Sequence, residues 1–347
     1  MAPEGKAVGI VIGGAVAKGA FAAGALAFLT ERLRAEGTAI RALVGTSSGA
    51  LNATVVAAGV AAGDPVGAAA NLRRLWEERA GALHVFSPDL AATLRLDGLS
   101  GTRRVAALLD EACPRPSGAG RPVSLRLVTA PLAGEPGPRT SFELVERFEG
   151  VDFETDARRR RVFEAATASA AFPFVFAPVE VRGAGPCVDG GVVNNTPIKE
   201  AIDEDLAIAT VYVVVAHPPG LRLPIAAAAK LGGAALGGRL AEMLIEERLV
   251  RDIREAGAVN AWLAALERLE AAGRIDRTAR DDIIGSLYPG RDARTLRRLQ
   301  IVEVRPGEAL AGSAFAGFFD AGTRREYVRQ GFLAAERAWE ERAPGTA

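Results

Sequence analysis

The sequence predicts an α/β protein built on a parallel sheet with crossover helices, followed by a C-terminal region of helical pattern. Three observations carry this. Residues 7–58 read strand–loop–helix–strand–turn–helix, and parallel neighbours need such crossovers. Residues 207–216 are an apolar, β-branched run, as in a strand covered on both faces. Residues 225–285 carry a helical pattern with many Arg and Glu, distinct from what precedes them.

Taken in order, residues 7–12 (Ala-Val-Gly-Ile-Val-Ile) form a short buried strand that breaks at Gly13-Gly14. A helix follows from Gly19 to about Glu36, with Gly37 placed to cap it. Residues 40–45 are a second strand, and Ser47 to Ala58 a second, small-residue helix. Residues 64–80 and 102–112 read as further helices. Strands are expected at 123–130 and 139–147, with a Pro/Gly turn between them. Residues 157–171 are helical, 174–182 extended and 197–204 a short helix. After His217-Pro218-Pro219-Gly220 the helical region begins; a last strand fits 298–304 and an amphipathic helix fits 320–342. The expected domains are 7–220, carrying the chemistry, and 221–347, mostly helical and packing on or extending the first.

Composition narrows the function. With 347 residues, 49% hydrophobic and 24% charged, the chain can bury a large core without staples. Lys+Arg and Asp+Glu are 42 each, so no global basic field exists to hold nucleic acid. The two cysteines, Cys113 and Cys187, have no metal spacing and are expected to be reduced thiols. Residues 7–29 are apolar but interrupted by Lys18 and Gly pairs, which argues against a spanning helix or a signal peptide. A cytoplasmic protein is expected.

Three segments carry candidate chemistry. Gly45-Thr46-Ser47-Ser48-Gly49 is a G-x-S-x-G sequence between a strand and a helix. There a strained turn exposes the Ser hydroxyl, and the helix N-terminus favours negative charge. A Ser capping an ordinary helix gives the same short pattern. Gly13-Gly14-Ala15-Val16-Ala17-Lys18-Gly19 also joins strand to helix, and such a loop can aim backbone N–H groups at an anion. It is neither G-x-G-x-x-G nor a P-loop; a plain tight turn is the alternative. Asp189-Gly190-Gly191, before Asn194-Asn195-Thr196-Pro197, is an acid in a Gly-rich turn, which a simple β-turn would also explain.

Together these segments resemble the patatin-like phospholipases. The resemblance extends through Ala50-Leu51-Asn52-Ala53 after the elbow and through Ala168 to Val179 before the acid, covering about residues 7–216. It implies a three-layer fold: a mostly parallel central sheet with helices on both faces, plus the C-terminal helical region. It implies a serine acyl hydrolase of phospholipase A or lysophospholipase type, acting on lipid or lysolipid, with transient membrane-surface contact allowed. Such a hydrolase calls for no metal or organic cofactor. Ser47 is then the nucleophile and Asp189 its general base. Gly14, Ala15 and Val16 form the oxyanion hole, Lys18 and Gly19 support that loop, and Gly45 and Gly49 shape the elbow.

The chain departs from the family where a Gly triplet becomes Gly14-Ala15-Val16. A β-branched Val16 is not expected to take φ > 0 easily, and its side chain should narrow the entrance above Ser47. A working hole needs these N–H groups to face the Ser47 hydroxyl, free of protein carbonyls. Two alternatives stand beside the dyad. One is a silent lipid-binding or scaffold protein, motivated by Ala15 and Val16. The other is an α/β-hydrolase triad in the order Ser47…Asp189…His217; His84 is read as an ordinary side chain. Two softer features are Phe172, Phe174 and Phe176, read first as core packing and second as an acyl pocket or lipid contact, and Arg158–Arg161, read as a solvated helix face.

Overall fold

The computed structural model describes residues 7–88, 98–118, 120–134, 142–201, 208–220, 232–287 and 298–342. Expected elements at 139–141, 202–204, 207 and 225–231 lie outside the described residues. The chain begins β1 (Ala7–Ile12), α1 (Gly19–Ala35), β2 (Ala39–Thr46), α2 (Ser48–Ala62) and α3 (Pro65–Arg74). It continues α4 (Arg103–Ala112), β3 (Ser124–Pro131), β4 (Leu144–Glu149), α5 (Asp156–Ser169), β5 (Val179–Val181), β6 (Gly185–Asp189) and β7 (Thr210–Val214). The C-terminal part holds α6 (Gly233–Ala271), α7 (Arg277–Leu287), β8 (Gln300–Val304) and α8 (Ala321–Glu341).

One 8-stranded sheet runs β8-β7-β1-β2-β3-β6-β5, with β4 also pairing β3. From β8 to β3 all neighbours are parallel; β4, β5 and β6 add antiparallel pairs. Strand alternation separates two cores. Ile10, Ile12, Leu43, Tyr212 and Val214 face one, with α1, α2 and α8. Val11, Ala42, Val44, Val211 and Val213 face the other, with Ile198 and Leu249 of α6. Helices therefore cover both faces, which is why β1 and β7 read as apolar runs.

Short connections follow local chemistry. Gly37, at φ +67°, closes α1, with its N–H on Arg34 O and Thr38 N–H on Leu33 O. Asp64 caps α3 through Gly67 N–H, and Pro65 opens that helix. Beyond the packing of Leu249, the C-terminal region joins the main body through β8 and α8. β8 extends the sheet beside β7. Helix α8 lies against α1 so closely that a Cβ on Gly24 would stand 1.9 Å from Val328 O, and one on Gly331 1.8 Å from Phe21 O.

Two local readings change. Asp189 ends a strand, β6, rather than sitting in a turn alone; the turn begins after it. Gly185-Pro186 weakens any strand pattern, and pairing with β5 and β3 overrides that. Arg159 is not solvated: it is 2% exposed, donating to Pro114 O, Cys113 O and Asp110 Oδ1 and lying over the Phe163 ring. Arg158, Arg160 and Arg161 are exposed as expected. Cys113 and Cys187 are free and buried. Among the described residues no helix is long and apolar enough to cross a membrane; residues 7–29 are instead β1, the Gly-rich loop and part of α1.

Candidate active site

Parallel strands send their following loops out of one sheet edge, so the loops after β1 and β2 meet where strand order turns around β1. The loop after β1 is Gly13–Lys18, and the turn after β2 holds Ser47. Register brings the acid to the same level: Thr46 pairs with Val128, and the next residue, Thr129, pairs with Asp189.

Ser47 takes φ +57° and ψ −132°, a conformation that costs a non-glycine residue about 1–3 kcal/mol. The surroundings over-determine it. Ser47 N–H donates to Ser169 Oγ at 2.9 Å, and Ser169 Oγ donates to Val128 O at 2.6 Å. Thr46 Oγ1 donates to Asn194 O at 3.0 Å. The elbow glycines are needed for space rather than rotation. A Cβ on Gly49 would meet Ile12 O at 2.1 Å, and one on Gly45 would meet Gly49 O at 2.5 Å.

The Ser47 hydroxyl donates directly to Asp189 Oδ2 at 2.6 Å. The other carboxylate oxygen, Oδ1, accepts Gly191 N–H at 2.7 Å. Asp189 is 2% exposed. Burial pushes its pKa up to about 7, against the lowering pull of the Ser47 and Gly191 donors. The carboxyl is thus poised near neutrality, where a general base works best. At 2.6 Å no imidazole fits between the two side chains. His217 sits in the bend after β7, and His84 is exposed on the single helical turn Ala82–Val85.

The Gly-rich loop abuts the hydroxyl: a Cβ on Gly14 would lie 2.4 Å from Ser47 Cβ and 3.1 Å from Ser47 Oγ. Its three candidate amides differ. Gly14 N–H donates to Asn195 Oδ1 at 3.0 Å, and Asn195 Nδ2 returns a bond to Gly14 O at 3.0 Å. Ala15 N–H donates to Ser48 Oγ at 3.0 Å. Val16 N–H has no acceptor among the described residues. Val16 takes φ +52°, contrary to the steric expectation; Lys18 N–H on Ala15 O and Ala17 N–H on Ala314 O hold the chain around it. Lys18 is half-buried at the end of that turn, and Gly19 O accepts Asn52 Nδ2 at 2.9 Å.

A pocket of about 740 Å³, counting its open mouth, is lined by Ser47 and Val16. It runs between Leu51 and Val55 of α2, Trp76, and Leu109 of α4. Its walls are almost wholly apolar, suited to a hydrocarbon chain rather than a polar ligand. Phe172 and Phe176 line it, Phe176 being stacked on Phe86. Phe174 does neither: it is 84% exposed at φ +69°. Ser169, Ser48, Asn52 and Asn195 stand within the sequence motifs, which give them no supporting role, and no sequence signal points to Trp76.

A family profile described as Patatin-like phospholipase matches residues 10–202. No curated protein matches the chain. Among solved structures the chain is similar to VipD from Legionella pneumophila, at 13% identity, covering 97% of this chain and 67% of that one with a TM-score of 0.41.

Proposed function

The chain belongs to the patatin-like phospholipase family, and from that premise we propose that it is a serine acyl hydrolase cleaving fatty-acyl esters of lipids, of phospholipase A or lysophospholipase type, through a Ser47–Asp189 dyad. The observation that carries this is the 2.6 Å bond to a buried carboxylate from the strained Ser47, which itself lines an apolar pocket.

In the proposed reaction Asp189 takes the Ser47 proton as Oγ bonds to the ester carbonyl carbon. The tetrahedral oxyanion collapses, the alkoxy C–O bond breaks, and Asp189 returns its proton to the leaving oxygen. Water then attacks the acyl-enzyme, giving its proton to Asp189. The fatty acid leaves, and Ser47 Oγ regains the proton. Val16 N–H supplies the oxyanion donor already free of partners among the described residues, worth about 3 kcal/mol in the transition state. The amides of Gly14 and Ala15 join it by exchanging side-chain acceptors, Asn195 Oδ1 and Ser48 Oγ. The catalytic domain in this proposal is residues 7–220, with 221–347 packing on it and adding Phe318 to the pocket wall.

Two features shape the substrate. The Val16 side chain lines the pocket beside Ser47, which favours single-chain or small esters over bulky ones. Phe174, exposed within the segment that lines the pocket, suits transient contact with a lipid surface. The engaged amides of Gly14 and Ala15 favour a second reading, a silent lipid-binding protein. Fluorophosphonate labelling separates the two. Ser47-dependent labelling, lost in Ser47→Ala together with lipid turnover, is expected. A folded chain that neither labels nor hydrolyses a lysolipid panel would leave the silent protein as the better reading.

A further inference from the structure

Arg324 lies on α8, far beyond the segment matched to the family. It is 5% exposed, with the Asp320 carboxylate acting on it from one helical turn away. Its acceptors are backbone carbonyls. Nε donates to Trp76 O at 3.0 Å, and Nη1 donates to Gly317 O at 2.7 Å. A buried guanidinium is an expensive way to fill space, so what its two bonds hold matters.

Each bond leads to the Gly-rich loop. On one side, Trp76 walls the pocket, its indole N–H donates to Asn52 Oδ1 at 2.8 Å, and Asn52 Nδ2 donates to Gly19 O at 2.9 Å. On the other side, Gly317 belongs to a strap, residues 313–319, laid over the loop. Ala17 N–H donates to Ala314 O at 3.0 Å, and a Cβ on Gly317 would meet Ala17 Cβ at 3.2 Å. The strap also furnishes Phe318, a pocket wall, and Phe315, edge-on to Phe172 at 6.0 Å between ring centroids. The loop is thus gripped at Ala17 and Gly19, and one side chain ties the two grips together.

We propose that Arg324 is a positioning residue for catalysis: it locks the Trp76 wall to the 313–319 strap, and so sets both the aim of the oxyanion loop and the fit of the acyl chain. This rests on the Ser47–Asp189 reading and adds that residues outside the family segment complete the site. Lys cannot replace Arg fully, because an ammonium lacks the planar fork that spans two carbonyls.

The test compares wild type, Arg324→Met and Arg324→Lys on p-nitrophenyl acetate and p-nitrophenyl octanoate, with thermal unfolding of each. Work is done well below the lowest midpoint, so only folded protein is assayed. Arg324→Met should lower kcat on both esters by roughly tenfold or more, since a small misplacement of donors is enough. It should also cut the octanoate-over-acetate preference in kcat/KM, with Arg324→Lys intermediate. A lowered midpoint with kcat and preference unchanged means Arg324 is only structural and overturns the proposal. Should Arg324→Met not fold, Arg324→Lys alone decides: wild-type kcat and preference overturn it, a fall in both supports it. A wild type without Ser47-dependent turnover overturns the dyad reading and this one with it; an active wild type with unaffected variants overturns only this one.

Discussion

Replacing Asp189 by Asn separates chemistry from stability in one residue. The side chain keeps its shape, and its oxygen can still accept Gly191 N–H, but it can no longer take a proton from Ser47. Turnover should therefore fall to background. Stability should move the other way. Burial raises the carboxyl from 3.8 to about 7, so between these values the folded chain holds a proton that the unfolded chain has lost. Stability then falls as pH rises through that window, because the folded state must ionise a buried acid. The shift spans about three units at about 1.4 kcal/mol each, so the ionised side chain costs about 4 kcal/mol above pH 7. Asn carries no such charge. Asp189→Asn should exceed wild type by up to about 4 kcal/mol at pH 8, by about 2 near pH 5, and by almost nothing at pH 3. Urea unfolding of both proteins across pH 3–8 measures this, alongside esterase assays at each pH. A stability difference that does not change with pH would refute the buried-carboxylate argument. Substantial turnover by the folded Asn variant would refute its role as base.

In the wild type, kcat/KM should rise with pH through about 7 and then level, following ionisation of Asp189; a flat profile from pH 5 to 8 would count against it. His217→Ala should keep most activity, because Ser47 already meets Asp189 directly; a loss as deep as that of Ser47→Ala would restore the triad. Ala15→Gly with Val16→Gly relieves the φ +52° strain and removes the Val16 side chain from the pocket wall. Turnover of bulky esters should rise relative to acetate, and unchanged ratios in a steady-state comparison would show that the side chains do not obstruct the hole. Gly331→Val drives a branched side chain into Phe21 O, 1.8 Å from where its Cβ must go. It should destabilise by about 3 kcal/mol or more in denaturant unfolding, and a wild-type midpoint would mean that α8 does not pack on α1 as described.

The central strands and first helices are legible in the sequence because each is a local pattern. β1 is an uninterrupted apolar run, β2 is apolar but for Arg41 near its start, and Gly13-Gly14 and Gly37 break the chain where the structure does. Elements set by tertiary context were not. β6, with Gly185 and Pro186 in five residues, becomes a strand only through its partners. Arg159 looked like part of a solvated run because three neighbours share its charge. Helical rotation alone turns it inward to the carbonyls after α4.

The site divides along the same line. Ser47 sits in a motif whose neighbours are all within two residues, so its strain could be anticipated. Asp189 lies 142 residues away, and no periodicity links the two; only resemblance suggested the pair. The supports are more distant still. Asn195 grips Gly14 across 181 positions and Arg324 grips Trp76 across 248. Each is a polar residue whose sequence surroundings give no reason to bury it. What makes them readable in the structure is that each spends donors on backbone carbonyls in or beside the Gly-rich loop and its two grips, at Gly14, Gly19, Trp76 or Gly317. A loop that has traded two glycines for Ala15 and Val16 can aim its amides only if its backbone is held in a conformation that Val16 resists. The strength of that external grip, more than the loop's own composition, then decides whether the Ser47 hydroxyl faces a working hole.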